Sequence, residues 1–302
     1  MSKKTKESLI SLLFVLLLML FNEFFEESFA YNNKTYVDNN VEITSEIVLK
    51  VHYLDVGQGD SIFLEFPNEK NMLIDASVSD ASDKIINYIE ALNYSKIDYL
   101  IATHPHSDHI GGMKEVVNNF DLGLIYMPKV VTTTTTYENL LQSIANKGHK
   151  IKTAKAGLNI IDEGNLKVEI LAPNSESYEE LNDYSVVLKV TYKDRSFIFM
   201  GDAEKLSEDE ITYNVKADVI KIGHHGSSSS TSSGFLKRVN PSFAVISVGK
   251  DNPYNHPSET VLKRLENNNV KLYRTDINGN IIFTTDGDKI KIEVERTNGS
   301  NS

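Results

Sequence analysis

Within six positions, His104-Pro105-His106-Ser107-Asp108-His109 holds three of the chain's eight histidines and one carboxylate, with Ile110-Gly111-Gly112 following. An apolar run, Tyr99-Leu100-Ile101-Ala102, leads into this segment and reads as a buried strand. A strand that enters a tight loop sends His104 and His106 to one side, and Asp108 and His109 lie one step on, where the backbone turns into a helix. The spacing gives two adjacent pockets, His/His and Asp/His, each a ligand set for a borderline-to-hard divalent cation. Gly111 and Gly112 let the backbone pass close to such a site. The bland alternative is a solvated polar loop or a pH-responsive histidine cluster, and the density of the pattern weighs against it.

Such pockets need a scaffold large enough to bury their backing. A chain of 302 residues, 40% apolar and 24% charged, can bury one large core or two coupled halves. Cysteine is absent, so any metal must be held by histidine and carboxylate, and no disulfide staples the fold. The net charge of -11 lacks the electrostatic footprint of a tight nucleic-acid binder. Residues 1–30 have the form of a secretory signal: Lys3, Lys4 and Lys6, an apolar run from Leu9 to Phe21 broken only by Ser11, and Ser28-Phe29-Ala30 as cleavage site. Glu23, Glu26 and Glu27 are unusual there and keep an uncleaved anchor open as the alternative; in either case the folded part faces outward, extracellular. The segment carries three lysines against four acids, so its removal leaves -10. Residues 31–45 read as a flexible lead-in, 46–296 as the folded domain and 297–302 as a polar tail.

Along that domain, Ile47, Leu49, Val51 and Tyr53 alternate with Lys50 and His52, as in a half-buried strand. Gly57-Gln58-Gly59-Asp60 turns the chain into a second strand at 61–66, and Pro67-Asn68 turns it again into 71–75. Ile85, Ile86, Ile89 and Leu92 have helical spacing, predicting a helix over 81–93. A helix through Met113, Val116 and Val117, a strand at 124–127 and a helix at 137–147 follow, with Thr132–Thr136 as a β-branched loop or cap. The second half shows hairpin strands around 158–161 and 166–171. Further strands are expected near 186–188, 197–200, 217–222, 245–248, 270–273, 281–284 and 290–294, with helices at 204–213 and after Pro257. The serine-rich stretch Ser227–Ser233 reads as a flexible lip. No repeat with a period of 20–50 residues is evident, but each half runs strands and then strand–helix alternation. Two mixed sheets packed face to face with helices outside would result.

The His-x-His-x-Asp-His-x-Gly-Gly pattern resembles the second motif of the metallo-β-lactamase superfamily. Leu54-Asp55-Val56-Gly57-Gln58-Gly59-Asp60-Ser61 and His224-His225-Gly226-Ser227 narrow the resemblance to the ComEC-type hydrolase domain of DNA-uptake competence proteins, here as a secreted stand-alone chain. It covers roughly residues 46–296 and implies an α/β (α+β) fold, the four-layer αββα sandwich. It also implies two divalent metal ions, zinc or alternatively manganese, held by His104, His106, Asp108, His109, Asp202 and one of His224 and His225, with His225 favoured. Asp202 would bridge the two ions. Asp75 would orient the ligand loop without binding metal, the alternative being a cap or turn residue. Where many members place a further histidine this chain has Asn182-Asp183-Tyr184-Ser185; Asn182 and Asp183 would line the site, with contact to metal left open between them, and a plain β-turn is the alternative. His224, if not a ligand, would bond a phosphoryl or leaving oxygen, and His256, in Asn252-x-x-x-His256-Pro257, would contact substrate. Without cysteine, β-lactam hydrolysis is disfavoured.

The expected activity is therefore hydrolysis by a metal-activated water, with a phosphodiester as substrate: DNA, or a cell-surface polymer such as a teichoic acid. Esters, thioesters and lactones suit the same chemistry. A non-catalytic extracellular binding domain is the alternative from another class, and no membrane contact is expected beyond the leader.

Overall fold

The computed structural model describes residues 36–37, 41–45 and 47–297. The expected leader, part of the lead-in and residues 298–302 of the tail lie outside the described residues. From Val37 onward the chain forms one compact unit. Its first half contains β1 (Leu49–Tyr53), β2 (Ile62–Glu65), β3 (Asn71–Ile74), α1 (Ser82–Ala91), β4 (Lys96–Ile101), α2 (Met113–Asn119), β5 (Asp121–Pro128), α3 (Thr135–Asn146) and β6 (Ile151–Ala154). The second half contains β7 (Asn159–Glu163), β8 (Leu166–Ala172), β9 (Val187–Tyr192), β10 (Arg195–Phe199), α4 (Lys205–Glu210), β11 (Val219–Lys221), α5 (Ser233–Val239), β12 (Phe243–Ile246), α6 (Glu259–Asn267), β13 (Lys271–Arg274), β14 (Ile281–Thr285) and β15 (Ile290–Val294).

One sheet carries β15-β14-β1-β2-β3-β4-β5-β6 in that order, and the other β13-β12-β11-β10-β9-β8-β7. The alternation read from the sequence explains how they stack. Leu49, Val51 and Tyr53 join Leu188, Val190, Phe197 and Phe283 in the core between the sheets. The opposite face of the first sheet, through Phe63, Leu73 and Leu100, packs on α1, α2 and α3, and that of the second, through Ile198, Ile220 and Ala244, on α5 and α6. These are the four layers of an αββα sandwich.

Parallel pairing sets where chemistry can sit. Strands β3, β4, β5 and β6 pair in parallel, as do β10, β11, β12 and β13. Their carboxyl ends therefore share one rim, where ligands collect in open α/β sheets. At that rim the two sheets are stitched together by Val186 N–H donating to the Thr103 carbonyl at 2.9 Å. Thr134 caps α3, its hydroxyl accepting from Tyr137 N–H at 3.3 Å.

Several expectations need correction. Strand β6 has no alternation to announce it, because Ile151, Lys152 and Thr153 are all exposed at the sheet's edge. The first strand starts at Leu49, and Ile47 is 61% exposed. Ser227–Ser233 is not a flexible lip. Ser230 and Thr231 are fully buried, Ser230 Oγ donates to the Gly223 carbonyl at 2.6 Å, and Thr231 Oγ1 accepts from Gly223 N–H at 3.2 Å. Arg264 donates to both of their carbonyls at 3.1 Å, so Ser230 and Thr231 clamp the turn before α5. Among the described residues, no helix is long and apolar enough to cross a membrane.

Candidate metal centre

The rim gathers side chains from four strand ends. After β4 come His104 and His106, then a helical turn, Ser107–Ile110, that carries Asp108 and His109. Asp202 follows β10, His224 and His225 follow β11, and Asp75 follows β3. The chain bends sharply here: His224 and His225 have φ of 46° and 50°, and Asp75 has 59°. Left-handed backbone in non-glycine residues is strained and tends to cluster at functional sites.

Asp202 lies at the middle, buried. Its Oδ1 lies 3.2 Å from His109 Nε2, and its Oδ2 lies 3.6 Å from His225 Nε2, 3.8 Å from His224 Nε2 and 3.9 Å from His104 Nε2. His104 Nε2 and His106 Nδ1 face each other at 3.0 Å, and Asp108 Oδ2 is 3.2 Å from His225 Nε2. One atom from each of Asp108, His109, Asp202 and His225 lies within 4.8 Å of the others. His109 Nε2, His225 Nε2 and Asp202 Oδ1 are buried with no hydrogen-bond partner. Buried polar atoms are normally paired, and three converging orphans of ligand type are what a cation would satisfy. The residues present therefore fit a divalent metal.

The remaining nitrogens are held from behind. His109 Nδ1 donates to Asp75 Oδ2 at 2.7 Å, and Asp75 also accepts from Thr103 N–H at 2.8 Å and Thr103 Oγ1 at 2.6 Å. His225 Nδ1 donates to the Ser247 carbonyl at 2.9 Å, which leaves Nε2 as the nitrogen facing Asp108 and Asp202. Such carboxylate or carbonyl partners fix the tautomer and orientation of a ligating imidazole. His224 Nδ1 instead bonds Glu204 Oε1 at 2.9 Å, and Asn182 Nδ2 donates to the same oxygen at 3.1 Å. Asp183 turns away: its Oδ1 accepts from Ser207 N–H at 3.3 Å in the first turn of α4. His256 lines the cavity with its ring 5.7 Å from His224, and its Nδ1 is buried and unpartnered.

The electrostatics follow from burial and mutual charge. Burial, reinforced by the charge of His109, drives His104 well below the ordinary histidine range, favouring the neutral ring with its one free nitrogen lone pair. Burial also lowers His106. It would lower His109 and His225 too, but Asp202, with Asp75 for the first and Asp108 and Asp60 for the second, outweighs it; His225 is raised to about 9. Asp202 is pulled well below the carboxylate range by His109, His225 and His104 against the opposing effect of burial. Protonated imidazoles thus supply the positive charge around Asp202 that a cation would replace.

Some contributors could not be read from the sequence. Lys221 is fully buried, paired with Asp60 and donating to the Gly201 carbonyl at 3.0 Å. Asp60 Oδ1 lies 3.4 Å from His225 Nδ1. The signal was a lysine inside the apolar strand Val219-Ile220-Lys221-Ile222, since a buried lysine requires a partner. Glu204, Gln58 and the 62% exposed Tyr254 gave none. The cavity, about 290 Å³, is lined by Gln58, His106, Ser107, Asp108, Asp202, His224, His225, Tyr254 and His256.

The chain matches the metallo-beta-lactamase superfamily over residues 54–250. It is 32% identical over 254 residues to ComE operon protein 3 of Bacillus subtilis (strain 168), covering 78% of this chain and 33% of that protein. It is 28% identical over 252 residues to competence protein ComA of Neisseria gonorrhoeae, covering 82% of this chain and 34% of that protein. The chain thus spans about a third of the length of these curated relatives. Among solved structures it resembles CmlA, a diiron β-hydroxylase from Streptomyces venezuelae, with a TM-score of 0.52 and 14% identity over 77% of this chain and 53% of that one, a likeness of fold.

Proposed function

The chain belongs to the metallo-β-lactamase superfamily, with relatives among competence proteins, and from that premise we propose that it is an extracellular, dinuclear-metal phosphodiesterase. The observation that carries this reading is Asp202, buried at the middle of the cluster with its carboxylate within 3.9 Å of a nitrogen from each of His104, His109, His224 and His225. A carboxylate placed in that way could serve two divalent cations at once. In this assignment His104 and His106 would hold one ion, Asp108, His109 and His225 would hold the other, and Asp202 would serve both. Zinc and manganese suit a set without thiolates. When bound, the pair supplies Lewis acidity towards a phosphoryl oxygen and lowers the pKa of the attacking water.

The other residues have supporting tasks. Asp75 holds His109 in the tautomer with Nε2 free. Glu204, lowered first by its hydrogen bond from His224, keeps that ring's Nδ1–H engaged, so His224 Nε2 is the nitrogen turned to the cavity, an acceptor in the neutral ring that can donate to the leaving oxygen once it has taken up a proton. Asn182 steadies Glu204 through its side-chain amide. His256 contacts substrate from the far wall.

Two observations divide the phosphodiesters. The relatives' names point to DNA uptake, and exposed Tyr254, stacked on His256 with ring centroids at 5.9 Å and 25°, offers a face to a base. Against this, among the described residues no lysine or arginine lines the cavity, and phosphate backbones are normally held by such groups. A cell-surface polymer such as a teichoic acid is therefore the second reading. The test is hydrolysis by metal-loaded protein of bis(p-nitrophenyl) phosphate, single-stranded DNA and poly(glycerol phosphate). The proposal expects turnover of the first and one of the others. Turnover confined to thioesters or lactones overturns it.

A further inference from the structure

Gln58 is not a metal ligand, yet it lines the same cavity. It sits between Gly57 and Gly59, both at positive φ, 77° and 127°. A Cβ at Gly59 would lie 2.3 Å from the Asp108 carbonyl oxygen and 2.6 Å from Ser77 Oγ, so only glycine lets this loop lie against the ligand loop. The contact is bonded: Asp60 N–H donates to the Asp108 carbonyl at 3.2 Å, and Ser77 Oγ donates to the Gln58 carbonyl at 3.3 Å.

The side chain is fixed from the other half of the fold. Gly249 N–H donates to Gln58 Oε1 at 3.2 Å, and a Cβ at Gly249 would lie 2.7 Å from Gln58 N. A backbone N–H can meet only the oxygen of an amide, so this bond fixes which end is nitrogen. That nitrogen, Nε2, is buried and has no partner. Its two protons are what Gln58 can offer to an occupant of the cavity. A bound phosphoryl group brings more oxygens than two ions can cover. With no lysine or arginine among the described lining residues, neutral donors must meet the rest.

We propose that Gln58 is a catalytic residue, its Nε2 donating to a non-bridging phosphoryl oxygen as negative charge develops in the transition state. The proposal rests on the phosphodiesterase reading for its substrate, but the donor serves any tetrahedral oxyanion. An amide held by Gly57, Gly59 and Gly249 needs no reorganisation at the moment of reaction, the condition under which such donors are most effective.

The test compares wild type with Gln58→Met, which keeps the length and loses the donor, and Gln58→Glu, which keeps the shape and offers acceptors. Orthovanadate binding to the metal-loaded proteins is measured by calorimetry, alongside turnover of bis(p-nitrophenyl) phosphate, metal content and melting temperature. Both variants should keep their metal, bind vanadate at least about tenfold more weakly, and lose about 10²-fold in kcat with little change in KM. Vanadate affinity within about twofold of wild type, or no vanadate binding by wild type, overturns the proposal. Loss of metal from both variants overturns it too, making Gln58 a strut of the ligand loop. If wild type cleaves no phosphodiester but its vanadate binding depends on Gln58, the donor stands and the phosphodiesterase reading falls.

Discussion

Two clusters of histidine and carboxylate among the described residues differ in how fully their polar atoms are paired. On the outer face of the first sheet, His52 Nδ1 bonds Tyr88 Oη at 2.9 Å and Nε2 bonds Glu65 Oε1 at 2.9 Å. Tyr94 Oη donates to Glu65 Oε2 at 2.9 Å, and Lys50, directly across the strand pair, reaches Glu65 at 3.2 Å. Every nitrogen and oxygen of His52 and Glu65 side chains has a partner. At the rim, His109 Nε2, His225 Nε2 and Asp202 Oδ1 have none. The same residue types close one network with protein groups alone and leave the other open to a further component. Completeness of pairing, not composition, separates a structural cluster from a candidate centre.

The sharpest way to break this contrast is to remove the central carboxylate. Asp202→Asn keeps the shape and removes the carboxylate's charge, and turnover should fall by more than about 10³-fold, measured as kcat/KM in metal-supplemented assays. His104→Ala should follow, with metal binding and turnover both reduced while the second group of ligands still takes up an ion, as titration with manganese would show. On the paired cluster the order reverses. His52→Ala strips Glu65 and Tyr88 of a partner and should cost about 1–3 kcal/mol of stability in urea unfolding, with kcat of the folded, metal-loaded protein unchanged.

A smaller effect concerns pH. Burial would raise Glu65, but hydrogen bonding and charge from His52, with Lys50 and Tyr94, lower it from 4.5 to about 2. A carboxylate depressed on folding contributes stability that is present above its unfolded pKa and lost as pH falls through the folded one. Between pH 5 and 3, the urea midpoint of Glu65→Gln should therefore fall less steeply than that of wild type. Lys50→Ala, which removes a partly exposed partner, should change stability by no more than about 0.5 kcal/mol.

The contrast also shows what a sequence can disclose. His104, His106, Asp108 and His109 are legible because one strand end and one helical turn place them, so their geometry is local. The alternation of Leu49, Val51 and Tyr53 exposed the inner face of the first sheet for the same reason. Lys221 and Asp60 meet only after the two halves stack, and Gln58 is fixed by Gly249, 191 residues away. The Ser227–Ser233 stretch looked mobile by composition, but tertiary hydrogen bonds to Gly223 and Arg264 override that preference. Asp183 carries the chemistry of a ligand and is directed instead at α4 by the turn that holds Asn182.

Metal stoichiometry bears most directly on the open cluster. Wild-type protein, stripped by chelation, reloaded with zinc or manganese and freed of excess by gel filtration, should carry two ions per chain by elemental mass spectrometry, and Asp202→Ala no more than one. Two ions per chain retained by Asp202→Ala, or none bound by wild type, would contradict a centre built around a shared carboxylate.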